Sequence, residues 1–159
     1  MSLISGLTIG LPAFILALEP NYNKIKTSFF INILSNSIPG GLTTVINILM
    51  LIGITSLFKI SPAQTSTMAV IITGYTALLL IYRISKPFNF LRKALLATLS
   101  TIFLLVLITT SGRSVFSLAI LTPNSLLILV LLTYLSTKLF GIFNQLLVIL
   151  IKKKNSWFI

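Results

Sequence analysis

Residues 94–110 read ALLATLSTIFLLVLITT, a run without one charged side chain. As an α-helix this run is about 25 Å long at 1.5 Å per residue, close to the ~30 Å thickness of a bilayer's hydrocarbon core. Four further segments are comparably apolar: residues 2–18, 38–58, 67–82 and 121–137, the last of which resumes after Lys138 as far as Ile151. The sequence therefore predicts an all-α, polytopic membrane protein with about five transmembrane helices, forming a single domain over residues 1–159.

The composition supports this prediction independently. Hydrophobic residues make up 56% of the 159 positions and charged residues only 8%, and the mean hydropathy is +1.08. Soluble domains carry about 25% charged residues. A soluble fold of this size could not hide so much apolar surface, because much of any small protein's exterior stays exposed. The lipid bilayer is thus the first predicted partner.

The charge distribution predicts the orientation. The net charge is +11, and Glu19 is the only acidic residue. The basic residues lie in short groups between apolar runs rather than in one patch, which favours membrane loops over nucleic-acid binding. If the segment after the first helix is cytoplasmic, the other side holds two basic residues, Lys59 and Arg113, and the cytoplasmic side holds ten: Lys24, Lys26, Arg83, Lys86, Arg92, Lys93, Lys138, Lys152, Lys153 and Lys154.

By the positive-inside rule, this split predicts a multi-pass protein of the cell membrane with its N-terminus outside and its C-terminus cytoplasmic. Residues 2–18 lack a preceding basic region and a clear cleavage site. They are therefore interpreted as mature membrane sequence rather than a signal peptide.

The residues that carry most enzyme chemistry are missing from the sequence. There is no cysteine and no histidine, which excludes disulfides, thiolates, zinc sites and histidine bases within this chain. One carboxylate cannot form an acid/base pair, and no glycine-rich phosphate-binding loop is present. We predict no catalytic residue, no cofactor and no certain metal ligand in this chain, so it is not catalytic alone.

One segment inside a predicted span is chemically informative, SGLTIGLPA at residues 5–13. Pro12 removes the backbone hydrogen bond to Thr8, and carbonyls freed in this way need other partners. Broken helices of this kind line ion paths in transporters, which makes Ser5, Thr8, Gly10 and Pro12 ion-path candidates. Glycine and proline are also common in membrane helices, where small residues allow close packing. From these residues alone, both interpretations remain open.

The surrounding sequence bears a family resemblance. LTIGLPAFILALEPN at residues 7–21 resembles the sixth transmembrane helix of cation-transporting P-type ATPases, most closely the bacterial branch with a Thr-Ile-Gly-(Ile/Leu)-Pro core. NSIPGGLT at residues 36–43 is similar to the entry into the next helix of that branch. The resemblance implies the C-terminal membrane part of such a pump, which helps to form the ion path and braces the transport domain.

The same resemblance implies several partners. They are the transported cation and the pump's remaining helices and headpiece; ATP and Mg would belong to the full-length parent. The phosphorylated Asp-Lys-Thr-Gly-Thr motif of the family does not occur in these 159 residues. Calcium- and sodium-pumping members have an aspartate where this chain has Ile9 and an asparagine where it has Ser5. The resemblance therefore leaves the transported cation open.

Two other kinds of protein are alternatives to a pump fragment. One is a stand-alone small membrane protein, either an accessory subunit or a channel component. The other is a holin-like pore former, which is less favoured because five spans are many for that class.

Individual polar residues receive simpler interpretations. Glu19 is expected at the cytoplasmic end of the first helix, and Lys138 is expected to extend its ammonium to the inner surface. Asn47, Asn144 and Gln145 are interpreted as helix–helix contacts. Residues 121–151 form either one long tilted helix or a span followed by an interfacial helix.

Three further residues also have simple interpretations. Pro39 is expected at the start of the second span, where its missing N–H costs nothing. Arg113 and Lys59 are interpreted as charges of the outer loops.

Overall fold

The structure is a computed structural model, and it describes residue 10, residues 29–86 and residues 90–155. Every element in these ranges is helical, and the fold is all-α. The helices are α1 (Phe29–Leu57), α2 (Pro62–Ile84), α3 (Phe90–Ile108), α4 (Thr110–Val115) and α5 (Pro123–Asn155).

Four of the described helices contain segments long and apolar enough to cross a membrane. Their mean hydropathy lies between 1.6 and 2.1, and the segments are Ser37–Leu57, Pro62–Ile84, Phe90–Ile108 and Pro123–Leu147. The protein is therefore an all-α polytopic membrane protein. The predicted first span, residues 2–18, lies outside the described residues apart from Gly10.

Helix α2 begins five residues before the predicted span 67–82 because of its local cap. The Oγ atom of Ser61 accepts a hydrogen bond from the backbone N–H of Gln64 at 3.4 Å, and Pro62 occupies the first turn. A serine cap followed by proline starts helices well, since proline's missing N–H has no helical partner there anyway. Helix α3 likewise begins at Phe90, before the predicted residue 94, because Arg92 and Lys93 are compatible with a helix although they are not apolar.

The expectation for Pro39 is wrong about the helix start. Pro39 lies ten residues inside α1, although it is close to the start of the membrane-crossing part at Ser37. Residues 29–38 contain neither glycine nor proline, so nothing in that segment ends the helix. Interior prolines are tolerated in membrane helices when hydroxyl groups and neighbouring helices satisfy the local backbone. The Thr43 hydroxyl donates to the carbonyl of Pro39 itself at 2.6 Å, whereas the carbonyl that loses its helical donor at the proline is that of residue 35.

Helices α1, α2 and α5 pack around a shared aliphatic core. Its buried members come from all three helices: Leu51 of α1, Met68 and Ile72 of α2, and Leu129 and Leu132 of α5. Helix α1 runs antiparallel to α2, whereas α5 runs parallel to α2. We call this contact region the three-helix seam.

Helix α3 is attached to the outside of the seam, chiefly through α2. The buried residues of this contact are Ile81 of α2 and Leu95, Leu99 and Phe103 of α3. A Cβ atom at Gly74 would lie 2.4 Å from Cζ of Phe103, so the phenyl ring occupies the space that a side chain would need. The missing side chain of Gly74 is therefore a condition for this contact.

The sequence left open whether residues 121–151 form one long helix or a span followed by a separate interfacial helix. Helix α5 is one continuous helix of 33 residues, about 50 Å long at 1.5 Å per residue. Lys138 lies within it and is exposed, with its Nζ atom 5.5 Å from the centre of the Tyr134 ring. A cation at this distance from an aromatic ring is weakly attracted to it.

Candidate functional site: a polar layer inside the bundle

The face of α1 that enters the three-helix seam is largely polar. Its residues recur every fourth position, as one helix face requires: Pro39, Thr43, Asn47, Leu51 and Thr55. Thr43 and Asn47 have no exposed surface, and Thr55 is buried as well. The two threonines donate to backbone carbonyls one turn earlier, so their hydroxyl groups are satisfied within α1. Asn47 is left to form contacts with the neighbouring helices.

Asn47 joins one residue from each of the other two helices. Its Nδ2 atom donates to Oγ of Ser136 on α5 at 2.8 Å and approaches Oγ1 of Thr76 on α2 at 3.5 Å. The Thr76 and Ser136 hydroxyls are 3.3 Å apart, which closes a triangle across three helices. All three residues are buried. We call Asn47, Thr76 and Ser136 the polar layer.

The polar layer lies within the central part of the membrane-crossing segments. Asn47 is ten residues from each end of the span Ser37–Leu57, or about 15 Å from each end along the helix. Ser136 is 13 and 11 residues from the ends of the span Pro123–Leu147, and Thr76 is 14 and 8 residues from the ends of the span Pro62–Ile84. Transporters place their substrate sites at this depth. A polar group there is costly unless it has a structural or functional partner.

The chemistry of the polar layer is that of neutral hydrogen bonding. The Oδ1 atom of Asn47 is buried and has no hydrogen-bond partner among the described residues, so within them the layer has one spare carbonyl-type acceptor. The described ranges contain no acidic residue and no cluster of histidine, cysteine, aspartate or glutamate that could hold a metal. Calcium usually binds several oxygens with carboxylates among them. The layer can therefore fix helix register and bind a hydrogen-bond donor, but it lacks the ligand set of a calcium site.

A second polar cluster lies near the start of α2 and α5. Gln64 donates from Nε2 to the Ile120 carbonyl at 3.1 Å and accepts at Oε1 from Ser125 at 3.0 Å. Thr67 accepts at Oγ1 from the Ala119 backbone N–H at 2.8 Å. These bonds fold the connection between α3 and α5 back onto α2.

Most of the predicted ion-path residues cannot be located in this structure. Ser5, Thr8 and Pro12 lie outside the described residues, as does Glu19. Gly10 is described by itself and is exposed. Their role as ion-path residues therefore stays a prediction.

The prediction for Asn47 is confirmed, because its amide joins α1 to α5 and α2. The contributions of Thr76 and Ser136 were not predicted. Their hydroxyls are indistinguishable in sequence from the many other Ser and Thr residues of the chain. The fourfold spacing of Pro39, Thr43 and Asn47 was the available signal, because it places them on one face of α1.

Comparison with known proteins gives one informative relative. No protein-family model and no solved structure matches the chain. The chain is similar to the calcium-transporting ATPase CtpE of Mycolicibacterium smegmatis, with 27% identity over 110 residues. The match covers 67% of this chain but only 14% of that protein. The chain thus spans only a small part of the length of that relative.

Proposed function

We propose that this chain is the C-terminal membrane part of a P-type cation pump, in which it helps to form the ion path and braces the transport domain. The similarity to part of a calcium-transporting ATPase carries the proposal. The sequence at residues 7–21, which resembles the sixth helix of such pumps, also supports it. The activity would belong to the whole pump, whose headpiece uses ATP and Mg.

The three-helix seam is suited to the bracing role. A transport cycle moves membrane helices against a support that must keep its own register. The polar layer supplies that register, because sliding α1 along α2 or α5 would break the contacts of Asn47 with Thr76 and Ser136. A seam of aliphatic residues alone could shift at lower cost, since lipid is as apolar as leucine.

The proposal leaves the identity of the transported cation open. CtpE is a calcium transporter by name, yet this chain has Ile9 and Ser5 where calcium and sodium pumps have aspartate and asparagine. Carboxylates for calcium would then have to come from helices outside this chain. A transport assay on the whole pump should therefore compare calcium with monovalent cations.

The proposal includes an orientation with the α2–α3 connection in the cytoplasm. Arg83, Lys86, Arg92 and Lys93 lie at that end of the bundle, and Lys59 lies at the other. Since the chain has no cysteine, Lys86→Cys and Lys59→Cys each introduce a unique thiol. In intact cells an impermeant maleimide should label only Lys59→Cys. Labelling of Lys86→Cys alone would show the opposite orientation.

The central experiment identifies the native polypeptide that carries these residues. A tag placed after Ile159 in the source organism should purify with a protein that forms a Mg-dependent, hydroxylamine-sensitive phosphoenzyme from radiolabelled ATP. The 17.5 kDa chain purified alone should hydrolyse no ATP. Recovery of a tagged 17.5 kDa product that associates with no phosphoenzyme would overturn the proposal and favour the accessory subunit or channel component.

A further inference from the structure

A cavity of about 380 Å³ opens at the Lys59 end of the bundle. It lies between α2, α5 and the connection from α3 to α5. Its floor contains the buried residues Thr67 and Leu129, and its mouth contains the exposed residues Ile120 and Leu126. The cavity has the size of a small-molecule site, and most of its walls are aliphatic.

The one charged side chain of the cavity wall is Arg113. Arg113 lies in the connection between α3 and α5, as expected of an outer-loop charge, but its side chain is half-buried. Its Nη2 atom donates to the Ile108 carbonyl at 3.2 Å. Its Nε atom is buried and has no hydrogen-bond partner among the described residues. Arg113 therefore retains donors for a further acceptor.

The backbone around Arg113 holds it in place. Thr109 caps α4 by accepting a hydrogen bond from the Gly112 N–H at 3.3 Å. A Cβ atom at Gly112 would lie 2.6 Å from the Val106 carbonyl oxygen, so the close return of α4 onto α3 requires glycine there. On the other side, Leu118 donates its N–H to the Arg113 carbonyl at 2.9 Å. The guanidinium thus belongs to a folded element rather than to a loose loop.

No acidic side chain of the described ranges is available to neutralise Arg113. Glu19 is the sole acid of the sequence, and it lies outside those ranges. A half-buried guanidinium without a counter-charge favours an anion as its partner. Thr67 and Leu129 lie five and six residues inside α2 and α5, or about 8 Å below the helix starts, which is the depth where headgroups meet acyl chains. At this depth the bilayer itself supplies an anion, the lipid phosphate.

We propose that this cavity is a binding site for one anionic phospholipid, with the phosphate at Arg113 and the start of an acyl chain against Ile71, Leu107 and Leu129. Arginine binds phosphate through two parallel hydrogen bonds from its planar guanidinium. The aliphatic wall excludes a hydrated free anion but accommodates an alkyl chain. This site does not depend on the proposed pump function.

The test compares two variants, Arg113→Gln and Lys59→Gln, which each remove one positive charge at the same end of the bundle. The full chain is reconstituted in phosphatidylcholine vesicles with and without phosphatidylglycerol, and lipid retention is measured by native mass spectrometry. The wild type should retain one phosphatidylglycerol in preference to phosphatidylcholine. Arg113→Gln should lower that retention about tenfold, a loss equivalent to about 1.4 kcal/mol. Lys59→Gln, which removes an exposed charge outside the cavity, should leave it unchanged.

Two further variants and a competition measurement complete the test. Ala119→Leu retains the charge but fills the cavity, and it should also weaken retention. Arg113→Lys should retain part of the binding, and it replaces Arg113→Gln if that variant does not fold. Equal losses in Arg113→Gln and Lys59→Gln would reduce the effect to general surface charge and overturn the site. Displacement of phosphatidylglycerol by inorganic phosphate alone would overturn the lipid as its ligand.

Discussion

The three-helix seam and the attachment of α3 bury similar aliphatic side chains, but they differ in polar content. The seam contains the hydrogen-bonded polar layer of Asn47, Thr76 and Ser136 beside its leucines. The buried side chains that α3 itself contributes are Leu95, Leu99 and Phe103, which are all apolar. One third of the α2 span is buried, at 33%, against 17% of the α3 span. A smaller share of α3 is therefore buried, and the side chains that it buries are apolar.

This difference follows from the absence of a hydrophobic driving force between helices in lipid. A leucine on α3 gains little by leaving the bilayer, so association depends on close packing and on polar bonds. The seam has both, whereas α3 depends on the fit of Phe103 against Gly74. We therefore expect α3 to separate before the seam opens. Four comparisons of variants test the difference between the two regions.

The largest effect is expected in the aliphatic part of the seam. Leu51→Ala removes a fully buried side chain and leaves a cavity between α1, α2 and α5. We expect a loss of about 3 kcal/mol, toward the lower end for buried leucines because the side chain remains in an apolar solvent when helices separate. Denaturant titration in lipid bicelles measures it. Leu49→Ala on the exposed face of the same helix is the control, and equal losses would contradict the seam.

The second effect concerns the attachment of α3. Gly74→Ala places a Cβ atom within 2.4 Å of Phe103 and should cost about 2 kcal/mol by overpacking. Gly53→Ala, at a glycine with open space around it, should be neutral or slightly stabilising. Adding Phe103→Leu should rescue Gly74→Ala but not improve Gly53→Ala. Hydrogen exchange of α3 amides should rise in Gly74→Ala while that of α1 stays low; increased exchange in α1 first would reverse the expected order.

The third effect measures the polar layer directly. A double-mutant cycle of Asn47→Leu and Ser136→Ala should give a coupling energy of about 1 kcal/mol, the size of interhelical hydrogen bonds in membranes. Thr101→Val removes an exposed hydroxyl that bonds only to its own helix, so its coupling to Asn47→Leu should be zero. A coupling of zero for Asn47 and Ser136 as well would remove the polar layer as a register device.

The smallest effect is expected on the outward face of α3. Leu104 is 55% exposed, so Leu104→Ala should change the stability of the isolated chain by less than about 0.5 kcal/mol. The same substitution in a complete pump tests whether other parts of the pump cover this face of α3. A larger loss there would mean that other parts of the pump cover this face, whereas an unchanged value would leave it facing lipid.

The sequence predicted the helical class and the approximate positions of the described spans, because runs such as 94–110 leave no alternative to a helix in lipid. It misplaced the start of α1 relative to Pro39, since a proline is compatible with either a helix start or a satisfied interior position. It identified Asn47 as a helix contact but not its partners Thr76 and Ser136. It did not indicate that the Arg113 side chain is half-buried. The fold of residues 109–121 depends on contacts with α2, which local sequence does not specify.

The sequence alone thus determined the solvent of this protein and the kind of structure that such a solvent permits. Composition and run length suffice for that, because every backbone polar group in lipid must be bonded within a helix. The tertiary structure decided which of many similar hydroxyls meet in the central part of the spans and which cation lines a cavity. Those choices depend on the rotation and register of each helix, and local sequence specifies them only weakly when most faces of the helices are apolar.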